Sequence, residues 1–128
     1  MADLNSTIDN IVQGDDCFVI RDISNIPAGQ QLVDAWLSIK ENHWDTSAVI
    51  TKHITTVSSA DGHIVDSGQT DTLGLIQFKL ASTDTTNLHE YYTYVFDIQV
   101  KTTGASGTSI FTPESGTLYV HPSITAAT

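Results

Sequence analysis

Residues 92–100, YTYVFDIQV, alternate: Tyr92, Tyr94, Phe96, Ile98 and Val100 are apolar or aromatic, and Thr93, Asp97 and Gln99 stand between them. A period of two matches an extended chain whose successive side chains point to opposite faces, and it matches no helix. A sheet with one apolar face must cover it with a second layer, so the even-numbered residues are assigned to a core. Asp97 falls on the opposite face with Thr93 and Gln99, where water or a partner chain meets it. Val95 breaks the polarity of that face and, with Tyr91, points to partial cover there.

The same reading extends along the chain. STIDNIV (6–12) is an edge strand ending at QGDD, and CFVIRDI (17–23) is a strand with Phe18 and Ile20 turned inward. Pro27 and Gly29 in NIPAGQQ break the pattern. LVDAWLSIK (32–40) places Val33, Ala35, Leu37 and Ile39 on one face, with Asp34, Trp36 and Ser38 on the other. ENHWDTS is a loop, AVITKHITTV (48–57) a Thr-rich strand, and Asp61-Gly62 a hairpin dipeptide before a short strand at 63–67. LGLIQFKLA puts Ile76, Phe78 and Leu80 on one side, and STDTTNLHE suits a helical turn capped by Ser82, Thr83 or Asp84. After TTGASGT come a strand SIFTP (109–113), a turn ESG and a last strand TLYVH (117–121). Seven to nine short strands at this spacing predict an all-β sandwich, and no helix long enough for a βαβ crossover intervenes.

The 128 residues make one domain, 1–128, with flexible ends at about 1–5 and 122–128. Fifteen acidic residues against five basic ones leave a net charge of -10. That balance excludes a phosphate-backbone binder and disfavours anionic membranes, so neither nucleic acid nor membrane is an expected partner. Cys17, the only cysteine, excludes an internal disulfide and reads as a small buried hydrophobe. The N-terminal stretch has no basic, then apolar, signal-peptide pattern, and no run is long enough to span a bilayer. The expectation is a protein made in the cytoplasm that stays soluble or enters a particle.

Site chemistry is sparse. His43, His53, His63, His89 and His121 are spread over the chain with no HExxH and no pair at ligand spacing, HWD (43–45) and HE (89–90) being the nearest approaches. The acidic loops GDD (14–16) and DTSA (45–48) lack the ligand spacing of a calcium loop, and Asp15 and Asp16 read as turn formers bonding their own backbone. No GxSxG, P-loop or GxGxxG occurs, and nothing near Cys17 lowers its thiol pKa. The expectation is no enzyme, no catalytic residue, no metal and no cofactor. Trp36, Trp44 and Tyr91 remain as a candidate interaction surface, since exposed aromatics anchor interfaces or stack on sugars.

A Gly-Asp-Asp turn after a short first strand, then a Pro-Gly turn and AWLSIK, followed later by YVFDIQV (94–100) and GTLYVHPSIT (116–125), resembles a recurrent tailed-phage virion domain. The pattern is similar to the Ig-like β-sandwich at the N-terminus of baseplate upper proteins and in small head or tail accessory proteins. It spans most of 11–125, while 43–72 departs from it. The resemblance implies Tyr94, Phe96, Ile98 and Val100 in the core, Asp97 on the outer face or in a strand-edge hydrogen bond, Gly116 opening the last strand, and no catalytic residues. It further implies a virion structural protein. The expected form is a capsid decoration or cement protein that binds the major capsid protein or other virion proteins as a trimer or dimer. The short length favours a stand-alone accessory protein over a baseplate protein, which would continue into further domains. The alternatives are a tail or baseplate adaptor or receptor-binding module, and a carbohydrate-binding sandwich using Trp36 or Trp44.

Overall fold

The computed structural model describes residues 3–69 and 72–123. Eight strands occupy the described residues: β1 (Asp3–Val12), β2 (Cys17–Ile23), β3 (Gln30–Lys40), β4 (Ile50–Ile54), β5 (Gly62–Asp66), β6 (Gly74–Leu80), β7 (Thr93–Gly104) and β8 (Gly107–His121), with one short helix, α1 (Ser82–Thr86). They form a five-stranded sheet of order β1-β8-β7-β3-β4 and a three-stranded sheet of order β2-β6-β5. The fold is a single Ig-like β-sandwich, antiparallel except for β1, which runs parallel to β8.

Alternation places the core between the sheets. Val19, Ile23, Ile76, Phe78 and Leu80 of the smaller sheet face Leu37, Ile39, Phe96, Ile98, Val100 and Leu118 of the larger, all buried. Full burial of each such side chain stabilises by about 1.5–3 kcal/mol. Tyr94 adds a polar tether, its hydroxyl accepting the His89 N–H at 2.8 Å. This ties the 87–92 connection to the start of β7, in the manner of the tyrosine corner of Ig sandwiches.

Several expectations are corrected. Phe18 and Ile20 face outward, 46% and 49% exposed, because Cys17, Val19 and Ile23 take the inward positions of β2. Val33 is only half-buried: the pairing with β7 shifts between Leu32 and Asp34, and this bulge brings both Leu32 and Ala35 inward. Asp61-Gly62 makes a tight turn, with a Ser59–Gly62 bridge, but joins no hairpin, because β4 and β5 belong to different sheets. ESG is not a turn. Residues 107–121 form one strand, in which Pro113 sits at a register shift where a ladder N–H is not required.

Gly116 of β8 pairs with Ser6 of the parallel strand β1, and a Cβ there would meet the Ser6 carbonyl oxygen at 1.9 Å. The first strand starts earlier than expected, at Asp3. Of the tail expected to be loose, 124–128 lie outside the described residues, as do 1–2 at the other end.

Ionic bonds close the margins of the sandwich. Lys52 of β4, 9% exposed, donates to Asp84 of α1 at 2.8 Å and lies 3.5 Å from Asp61. Burial pushes the Asp84 carboxyl up, but hydrogen bonds from Lys52 and the Ala81 N–H, with the ammonium's charge, outweigh it and hold the group below the ordinary aspartate value. The expected caps of α1 therefore reduce to Asp84, which accepts the Ala81 N–H at 2.9 Å. Asp16 does not bond its own turn; it reaches across to accept the Ser82 N–H at 2.7 Å.

Candidate interaction surface

The three aromatics are placed differently by the fold. Trp36, on the outer face of β3, is half-buried and stacked on His53 of β4, with centroids 5.1 Å apart and planes 8° from parallel. His53 is held in turn by Asp34, Nε2 to Oδ1 at 2.8 Å. One face of the indole is thus occupied within the chain. Trp44, in the 41–49 loop, is 78% exposed, and Tyr91, before β7, is 67% exposed. Because Lys40 at the end of β3 pairs with Val95 near the start of β7, these two loops project from the same end of the sandwich. No ring contact joins Trp36, Trp44 and Tyr91 among the described residues.

Tyr91 holds a left-handed backbone, φ 64°, costly for a side chain of its size. Its N–H donates to the Val120 carbonyl at 2.8 Å, which fixes that conformation. Tyr92, assigned to the core by alternation, lies at its margin: it is 37% exposed and tilts against Tyr94 at 4.7 Å.

The outer face of the five-stranded sheet holds what the sequence did not single out, a groove of about 330 Å³. Its floor is a cross-strand row: Ser38 of β3 lies opposite Asp97 of β7, and Asp97 opposite Ser115 of β8. Leu4, His43, Lys40, Val95 and Thr117 line the sides. Lys40 is drawn to the loop end, its Nζ donating to the Asp45 carbonyl at 2.9 Å. Asp97 forms none of the ion pairs among the described residues. The sequence signal was Asp97 itself, but the hydroxyls flanking it are brought into its row only by strand pairing.

The histidines do not converge. His43 sits at the groove, His53 pairs with Asp34, His89 offers its backbone to Tyr94, and His121 donates from Nε2 to the Asp9 carbonyl at 2.6 Å. Among the described residues no group of three or more His, Cys, Asp or Glu is arranged to hold a metal. Cys17 is buried, and burial pushes its thiol up despite the opposing charge of Arg21. No helix of the described residues is long and apolar enough to cross a membrane.

No family model matches this sequence, and no characterised protein matches it at the sequence level. Among solved structures, murine CRIg is similar over 91% of this chain and 92% of its own, at 10% identity and a TM-score of 0.45.

Proposed function

We propose that this chain is a non-enzymatic structural protein of a phage virion, a decoration or cement protein that binds the major capsid shell. The observation that carries the reading is a packed sandwich that displays two large aromatics, Trp44 and Tyr91, on loops at one end. Rings of this kind supply most of the energy of protein interfaces when a partner desolvates them. The net charge of -10 steers such a surface toward basic patches. The likeness of GDD, AWLSIK, YVFDIQV and GTLYVHPSIT to virion domains supplies the particle. Assembly as a trimer or dimer on a repeating lattice would let weak contacts add.

A tail or baseplate adaptor is the second reading, favoured by the baseplate-type pattern spanning most of 11–125. Sugar binding would fall to Trp44, since His53 already covers one face of Trp36.

The test is co-sedimentation of purified protein with capsids and with isolated tails. Binding to capsids, weakened by Trp44→Ala and Tyr91→Ala, is the expected result. Binding to tails alone selects the second reading. Absence of binding to both, together with absence from virion mass spectra, overturns the proposal.

A further inference from the structure

We infer that the groove on the outer face of the five-stranded sheet is a receptor for an arginine side chain on a partner protein. The floor argues for it. Ser38, Asp97 and Ser115 stand in register on three neighbouring strands, which in a sheet run about 4.8 Å apart, so one carboxylate-bearing position has a hydroxyl-bearing position on either side. Asp97 forms no ion pair among the described residues, and Lys40, which lines the groove with His43, donates its Nζ to the Asp45 carbonyl rather than to Asp97.

A planar guanidinium laid on this row offers two parallel N–H donors to the carboxylate and further donors directed sideways at the two hydroxyls. A lysine ammonium, a point charge with three tetrahedral donors, cannot serve all three acceptors in one plane. Leu4, 60% exposed, and Val95 give the arginine methylenes an apolar wall. Size agrees: about 330 Å³ lies at the low end for small-ligand pockets, enough for one side chain but not for an extended glycan. The acidic molecule as a whole favours a basic partner, and this groove names the residue type that would enter it.

The test is amide chemical-shift titration of the whole chain with Ac-Gly-Arg-Gly-NH2, its citrulline and lysine counterparts, and a vicinal-diol sugar. The expected result is saturable shifts at residues 38, 97 and 115 in the millimolar range. Binding should be at least about tenfold weaker for the citrulline peptide and after Asp97→Asn, and about two- to fivefold weaker after Ser38→Ala or Ser115→Ala. Asp97 is exposed, so Asp97→Asn keeps the fold, and the serine variants report independently. An equal response to citrulline or lysine, preference for the sugar, indifference to Asp97→Asn and the serine replacements, or no saturable shift would each overturn the inference. The inference deepens the virion reading by naming the partner's chemistry, yet its readout is independent: a silent titration leaves capsid binding standing, and failure on capsids leaves an arginine site standing.

Discussion

Arg21 of β2 and Glu114 of β8, 93 residues apart in sequence, form an ion pair of 2.7 Å across the two sheets. The second carboxylate oxygen of Glu114 accepts the Ser6 hydroxyl at 2.7 Å, so one side chain joins β1, β2 and β8. Glu114 is only 8% exposed, and its replacement by alanine strands Arg21 at the sandwich margin. The pair is partly open to water through Arg21, so the loss is set at about 2 kcal/mol, below the 3–5 of a fully buried pair. Thermal unfolding of Glu114→Ala should fall by about 6–10 °C, and adding Arg21→Met should restore part of it. An unchanged melting temperature would refute this role.

Tyr94→Phe removes one oxygen from a buried ring and leaves the His89 N–H without its acceptor. The expected cost is about 1–2 kcal/mol. Hydrogen exchange should quicken first at residues 88–92, ahead of the β7 amides, since the bond anchors that connection.

The Lys52–Asp84 contact makes stability depend on acid. Asp84 holds its proton less tightly folded than unfolded, so its contribution is complete above the unfolded pKa of about 4 and is lost as pH falls through the lower folded value. Urea unfolding should therefore show an Asp84→Asn deficit that is full at pH 7 and shrinks below about pH 4. A deficit that persists unchanged into strong acid would contradict this assignment.

At Gly116 a methyl group has nowhere to go, with the Ser6 carbonyl carbon at 2.7 Å and its nitrogen at 2.8 Å from the Cβ position. Gly116→Ala should displace β1 from β8 at a cost of roughly 2–3 kcal/mol, in the range of overpacked sites. Loss of exchange protection confined to β1 would be its signature.

Tyr91→Gly should act in the opposite direction on stability. Removing an exposed side chain from a left-handed position relieves a penalty of about 1 kcal/mol, so the melting temperature should hold or rise. On the proposed decoration role, capsid binding should fall in the same variant. A fall in both would make Tyr91 a packing residue instead.

Strand number, a two-layer β architecture, the core face of 94–100 and the outward placement of Asp97 were all legible in the residues, because a period of two is a local property that a half-buried strand must satisfy. Trp44 and Tyr91 were legible as exposed rings, since they lie outside or at the edge of that period. What the residues could not declare was which strands pair and where a ladder slips. The local pattern turns Phe18 and Ile20 inward because residues 17–20 of β2 are all apolar and one charged residue falls on each face at Arg21 and Asp22, so its alternation has two acceptable phases, and packing against the larger sheet selects between them.

Locally, Pro113 closes the strand SIFTP and Gly116 ends the turn ESG. They serve as a bulge and a close approach only because β7 and β1 lie on either side of β8. The Ser38–Asp97–Ser115 row joins residues up to 77 positions apart, and the Arg21–Glu114 pair residues 93 apart. Periodicity carries the direction of a side chain but not the identity of its cross-strand neighbour. That identity is settled by the global register of the sheets, and the groove and the ionic closure exist only at that level.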